Sequence, residues 1–369
     1  LYSLSSQPDY LERVKSDMGT IQERKHVYLV MGLFCALALV TPYLDLFLQQ
    51  LLSEILVFGL LAMSLDILLG FTGLASLGHA AYFGVASYAA AIVMTKKSWV
   101  ITYSIYNGAS EAGLGIFFLF LVGVLVAFIF SVFFGYLAIR AKDVYFLMIT
   151  LSLAMVVWGL AYRWSAVTEG DNGIIISERP TLLGIELSDG LAFFYFALVV
   201  FLLCLGVLYL IVQSPFGKTL VGIREREERM EMLGYNVWLH KYLAFIIAGT
   251  FSGVAGVMWT LHNMFVSPSD VELITSAEAL FMVALGGPAT LIGPLIGAAI
   301  IRSLQQLVSI YVERWPLILG SIYIFTIMLS RLYGVDGILG FAKKFRRSSA
   351  VSENSDKLNL TKSAINDIY

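Results

Sequence analysis

Ser214-Pro215-Phe216-Gly217-Lys218, followed by Arg224-Glu225-Arg226-Glu227-Glu228-Arg229 and Leu233-Gly234-Tyr235-Asn236, forms a charged island in an otherwise apolar chain. Long apolar runs flank it on both sides, so the fold reads as membrane spans interrupted by one polar, helix-compatible segment. Of 369 residues, 59% are hydrophobic and 14% charged, against roughly 45–50% apolar and about 25% charged in a soluble domain. The core of such a chain faces lipid, and nothing in it is long and polar enough to form a soluble catalytic domain.

Working outward from the island, apolar runs near the ~20 residues needed to cross a bilayer fall at residues 27–44, 51–70, 74–95, 114–139, 145–163, 191–212, 242–261, 273–286, 291–311 and 316–332. They predict an all-α polytopic membrane protein with about ten transmembrane helices. Glycine interrupts the third run and the eighth is short. A polar arm occupies residues 1–26, a membrane domain residues 27–340 with the island loop at 213–241, and a tail at 341–369 whose Ser, Asn, Asp and Lys content reads as disordered. No cleavage-like pattern follows the first run, so it reads as a retained span and not a signal peptide. The net charge of −2 carries no basic surface for nucleic acid. Cys35 and Cys204 lie inside predicted spans, too few and too buried for a disulfide framework.

Lys and Arg in short loops set the orientation. With the N-terminus in the cytoplasm and ten spans, Arg24/Lys25, Arg140/Lys142, the island and Lys343/Lys344/Arg346/Arg347 all fall inside. The acidic loop 166–190 falls outside, with Glu169, Asp171, Glu178, Glu186 and Asp189 against Arg179. Lys96 and Lys97 break the rule by lying outside. A nine-span arrangement would put the island and the C-terminus on opposite faces, so ten spans are preferred.

If 219–233 is one helix, Leu220, Ile223, Met230 and Leu233 share a face at amphipathic spacing. Arg224/Glu228 and Glu225/Arg229 stand at i, i+4, which supports a helix by a few tenths of a kcal/mol each, and Gly234 stands at a C-terminal stop. The bland alternative is a helix lying on lipid headgroups. Anionic headgroups select a mostly basic face, and the island's four glutamates argue for a protein partner instead. Gly217-Lys218-Thr219 superficially ends a phosphate-binding loop, but Val212 occupies the place of the leading glycine and Pro215 interrupts the loop. Any ATP chemistry must therefore come from another subunit.

Two glycine-rich elements stand out, residues 70–84 and 286–297. Glycine at this density in a membrane serves close helix packing or a broken helix lining a cavity. Gly249/Gly253 and Gly293/Gly297 are small-xxx-small pairs, for which packing is the simpler reading. Ser76 and His79 lie within the first element, where lining a path and packing weigh evenly. Asp66, His79, Glu278 and Arg302 are ionisable groups within predicted spans and so are functional candidates by default. For Glu278 and Arg302 a structural ion pair is the favoured reading, whereas a proton-coupled carrier would need Asp66 or Glu278.

The island, together with Lys241-Tyr-Leu-Ala-Phe245, resembles the cytoplasmic signature of the LivM-type permease family, membrane subunits of ATP-binding-cassette importers for branched-chain and other hydrophobic amino acids; the related urea permeases share it. Further segments match in family order. They are Gly73…Ser76-Leu-Gly78-His79…Gly84, Tyr145-Phe…Thr150-Leu, Thr168-Glu-Gly170-Asp-Asn-Gly173, and Glu278-Ala-Leu-Phe-Met…Gly293-Pro…Gly297. Leu74 stands where many members carry Gln, and Glu169 replaces the first glycine of a Thr-Gly-Gly pattern.

The resemblance implies an architecture similar to type II importer permeases. It implies ATPase coupling through Gly217, Ile223, Arg224, Glu225, Glu228 and Gly234. It also implies a substrate path along Ser76, Gly78, His79, Thr150, Gly170, Asn172 and Gly173. The implied partners are two ATPase subunits that bind ATP and Mg, a second permease, favoured as a paralogue, and a substrate-binding protein outside the membrane. No cofactor or metal is expected in this chain, and the implied location is a prokaryotic plasma membrane, the inner membrane of a Gram-negative cell. A urea or short-amide permease is the near alternative. A stand-alone carrier or channel, or a non-transporting scaffold, is the distant one; neither carrier nor channel needs an ATPase-docking helix.

Overall fold

The computed structural model describes residues 37–95, 100–111, 114–177, 179–181 and 187–311, with isolated positions at 32, 34 and between 317 and 328. The predicted first span lies partly, and the tenth largely, outside the described residues; the N-terminal arm and the polar tail lie wholly outside them. By internal contacts the chain divides into two units, Leu1–Gln49 and Gln50–Tyr369. In the first, a 3-10 turn at Thr41–Tyr43 is closed by Thr41 Oγ1 donating to Leu37 O at 2.6 Å and by Gln49 Nε2 donating to Leu44 O at 2.9 Å.

Among the described residues, the α-helices longer than a single turn are α1 (Leu46–Asp66), α2 (His79–Thr95), α3 (Val100–Glu111), α4 (Gly115–Ala138), α5 (Asp143–Arg163), α6 (Gly190–Gln213), α7 (Pro215–Glu225), α8 (Glu227–Met232), α9 (Val237–Asn263), α10 (Leu273–Gly286) and α11 (Ile292–Tyr311). Among the described residues, six are long and apolar enough to cross a membrane: α1 with its continuation to Thr72, α4, α5, α6, α9 and α11; α2 and α10 are shorter. The chain is therefore an all-α polytopic membrane protein. The amphipathic helix α3 escapes the sequence reading because its polar residues, Ser104, Asn107 and Ser110, break any long apolar run.

The second unit is organised around α1, which is almost wholly buried from residue 51 onward. Phe58 lies 5.9 Å from Phe83 of α2 and 5.1 Å from Trp259 of α9. Close approach elsewhere depends on small residues. A side chain at Gly256 would strike the Phe83 carbonyl of α2, and one at Gly253 would strike Ala127 of α4. Gly249 faces Ser131 one turn along, at 2.5 Å from where a Cβ would stand. The Gly249/Gly253 pair is thus the groove in which α4 seats, as small-xxx-small packing demands where burial of apolar surface alone does not drive association. The hairpin of α10 and α11 is as tight: Gly286 meets the Gly293 carbonyl and Gly297 the Met282 carbonyl.

α9 runs from the island to the loops at its far end, and its 27 residues reach about 40 Å at 1.5 Å each, enough to cross the bilayer. At its far end β2 (Phe265–Val266) pairs antiparallel with β1 (Ile174–Ile175), in register Ile174↔Val266 and Ile175↔Phe265. The island and the loop carrying β1 are therefore at opposite ends of α9.

Candidate functional site

The island is not the single helix that its spacing predicts. Ser214 caps α7, its Oγ accepting from Gly217 N at 3.4 Å with Pro215 in the first turn. Gly217 has no room for a side chain against the Val212 carbonyl. At Arg226 the backbone turns extended, φ −155° and ψ 96°, which separates α7 from α8. Two contacts hold the break open. Lys241 of α9 grips Glu227 at 2.6 Å, and Met230 folds back on Gly222, its Sδ 2.8 Å from where a Cβ would stand. Arg224 and Glu228, and Glu225 and Arg229, fall on different sides of the break, so the ion pairs drawn on a continuous helix do not form there.

The apolar face divides with it. Leu220 and Ile223, 3% exposed, are buried within this chain, while Met232 and Leu233 of α8 and its cap are 86% and 66% exposed. Ile223 is thus an internal anchor, and a face expected to be buried by a partner is already buried. α8 ends in a Schellman motif, Tyr235 N donating to Met230 O at 3.1 Å and Gly234 N to Glu231 O at 2.9 Å, with Gly234 at φ +86°. Asn236 then caps α9, accepting from Leu239 N at 3.0 Å.

From the island the structure leads into a broken helix. α1 widens at its end into a π-helical turn, Ile67–Thr72, closed by Gly73 at φ +82°; such turns occur often at functional sites. Residues 73–78 are non-helical, and α2 starts only at His79. Irregular backbone at membrane depth must have its polar groups met inside the protein, and hydroxyls meet them here. Ser76 Oγ accepts from Gly78 N at 3.2 Å, Thr150 Oγ1 of α5 from Leu77 N at 3.3 Å, and Ser276 Oγ of α10 from Ala80 N at 2.9 Å. The His79 carbonyl accepts from Ser252 Oγ of α9 at 3.0 Å.

Ser76, Gly78, His79 and Thr150 are therefore brought together, all buried. Gly78 lets the Thr150 carbonyl approach to 2.8 Å of its missing Cβ. The His79 ring is fully buried, edge-on to Tyr82, and neither ring nitrogen has a hydrogen-bond partner. Thr150 and Ser76 spend their hydroxyls on the break, as the hydrogen bonds that keep α2 short require.

Gly170, Asn172 and Gly173 form a separate cluster beside β1. Gly173, φ +68°, lies against the Val266 carbonyl, and Gly170, φ +62°, against the Tyr162 carbonyl; Asn172 is exposed. Glu169, which stands where the family pattern has glycine, takes φ 62°, the left-handed conformation that costs an L-residue about 1–2 kcal/mol. Arg179 clamps the loop, donating to Leu187 O at 2.9 Å and His262 O at 2.8 Å. Asp270 holds the turn after β2 by accepting from Trp259 Nε1 and Ser267 N, both at 2.9 Å. Burial pushes its carboxyl above the ordinary range, against the downward pull of those bonds.

Glu278 and Arg302 pair at 2.8 Å, and a residue absent from the sequence candidates joins them. Glu54 of α1 meets Arg302 at 3.2 Å and takes Gln306 Nε2 at 2.9 Å. Its only signal was a carboxylate within an apolar run, the same one that marks Asp66. Asp66 Oδ1 accepts from Ala289 N at 2.9 Å and so fixes the turn between α10 and α11.

A polytopic helical membrane protein with a broken central helix, and an embedded polar element at one end, has the construction of a transport permease. The family model described as branched-chain amino acid transport system / permease component matches residues 47–331, and the chain belongs to that family. It is 24% identical over 326 residues to the high-affinity branched-chain amino acid transport system permease protein LivM of Escherichia coli (strain K12), covering 81% of this chain and 72% of that protein. To the LivM protein of Salmonella typhimurium it is 25% identical over 292 residues, covering 73% and 65%. A probable branched-chain amino acid transport permease protein, LivH of Methanocaldococcus jannaschii, is 26% identical over 234 residues, covering 60% and 73%. No solved structure matches the chain.

Proposed function

We propose that this chain is the permease subunit of an ATP-binding-cassette importer that carries branched-chain or similarly hydrophobic amino acids across a prokaryotic plasma membrane. The observation that carries the reading is the divided island. α7 is embedded in the membrane unit through Leu220 and Ile223, while α8 projects Met232 and Leu233 away from it. That division suits an element that a soluble subunit grips on one side and the membrane unit follows on the other. Two ATPase subunits supply ATP and Mg chemistry, gripping Glu228, Arg229, Met232 and Leu233; the chain itself is not an enzyme and needs no cofactor.

A second permease, a paralogue in keeping with the LivM and LivH relatives, completes the path. A binding protein delivers substrate at the end carrying β1 and β2. The termini then face the cytoplasm and residues 168–189 the outside, as the Lys/Arg distribution directs. Substrate passes the break at 73–79, where the Ser76, Gly78, His79 and Thr150 cluster narrows the route.

Purification of the tagged chain from its own membranes, with identification of the bound subunits, tests the reading. ATPase subunits and a second permease are expected in stoichiometric amounts, with leucine uptake lost on deletion. A chain that purifies alone and still supports uptake would identify a stand-alone carrier instead.

A further inference from the structure

The Gly70 carbonyl lies in the π-helical turn that ends α1. In a continuous α-helix it would accept from Leu74 N, but that N–H reaches past it to Leu68 O at 2.8 Å. The donor that meets Gly70 O is the guanidinium of Arg224, from the last turn of α7. Its aliphatic stem lies over Gly73, Cβ 3.6 Å and Cγ 3.1 Å from where a Cβ at 73 would stand. The carbonyl end of a helix carries partial negative charge, so a guanidinium there makes a charge-assisted bond, roughly twice as strong as a neutral one. On the other side the same turn is held by Asp66 and Ala289 N.

We infer that Arg224 is a positioning residue that ties the island to the broken helix through the Gly70 carbonyl, so that displacement of α7 is delivered directly to residues 73–78. This rests on the importer reading and adds to it the route of transmission. Arg224 is exposed in this chain and by sequence belongs to the rim a partner would grip; the structure turns its head inward instead. Leu220 and Ile223 hold α7 against the unit but are apolar contacts that can slide, whereas a directional bond to one carbonyl cannot slide without breaking.

Arg224→Met keeps the stem over Gly73 and removes the donor. In the whole transporter it should leave subunit assembly and basal ATP hydrolysis in place, and lower leucine uptake and substrate-stimulated hydrolysis about tenfold or more, the size of a lost hydrogen bond to a charged group. A covalent rescue separates transmission from simple support. In a background lacking Cys35 and Cys204, Gly73→Cys/Arg224→Cys places two Cβ atoms 3.6 Å apart, within the ~3.5–4.5 Å range of a disulfide. Reduced, the pair should behave like Arg224→Met; oxidised, it should recover uptake toward the Gly73→Cys single variant.

Full uptake by the reduced pair, or no recovery on oxidation while Gly73→Cys alone transports, overturns the inference. If Arg224→Met does not assemble, the disulfide pair decides by the same two criteria. Parental protein that co-purifies no ATPase and supports no leucine uptake sinks the importer reading itself, and the Arg224 inference falls with it.

Discussion

Replacing Arg302 with methionine tests the energetics of the membrane unit most directly. Arg302 donates to Glu278 at 2.8 Å, to Glu54 at 3.2 Å and to Gln305 at 3.0 Å, with its Cζ 3.3 Å from the centroid of the Phe58 ring. Arg302 and Glu54 are 7% and 6% exposed, so water does little to screen the group. Methionine keeps an unbranched side chain of similar length but removes every donor and the guanidinium over Phe58, leaving two carboxylates with no countercharge. Breaking a buried pair by removing one partner costs about 3–5 kcal/mol, and loss of the cation over the ring adds about 1–2 kcal/mol.

At roughly 2–4 °C per kcal/mol, the melting temperature should fall by on the order of 10 °C. The detergent-purified protein can be followed by tryptophan fluorescence, since Trp259 packs 5.1 Å from Phe58. The cost is that of uncompensated charge, not of lost volume. The triple variant Arg302→Met/Glu54→Gln/Glu278→Gln should therefore recover more than half of the loss. A single variant that melts within about 2 °C of the parent, or a triple no better than the single, would refute the reasoning.

The divided island predicts a contrast: Ile223→Asp buries a charge inside this chain at a cost of several kcal/mol and lowers its melting temperature, whereas Met232→Asp leaves the melt unchanged and abolishes ATPase co-purification. The opposite pattern would return Ile223 to the partner interface. Gly78→Leu and Gly293→Leu drive side chains into backbone carbonyls of Thr150 and of Gly286 and Gly287, an overpacking cost of about 1–3 kcal/mol; reduced monodisperse yield on size-exclusion chromatography checks it. Cysteines at Ser188 and Ser349 should label from opposite sides of the membrane, and labelling of both from one side would exclude ten spans.

The sequence by itself determined what depends on local chemistry. A span in lipid must satisfy its own backbone, so apolar runs read directly as helices, and those matching α4, α5, α6, α9 and α11 lie within a few residues of the observed bounds. The helix stop at Gly234 was equally legible, because it acts on its own backbone neighbours; the caps at Ser214 and Asn236 were not read as such, because the apolar spacing starts the helix at residue 219. The small-residue pairs announced close packing, though not the partner helix.

What only the tertiary structure decided is which side of each element is inside. Helices that are apolar all round carry no stripe to say so, which is why Glu54 could not be assigned to Arg302, nor Asp66 to Ala289, from their positions. In the island the stripe was present but misleading. Its spacing assumed a continuous helix, whereas Lys241 on Glu227 and Met230 on Gly222 make a break at Arg226 more favourable than one more turn. Likewise α2 starts at His79 because Thr150 and Ser276, from helices distant in sequence, supply the acceptors that a broken helix needs. Such long-range partners exist only once the chain has packed.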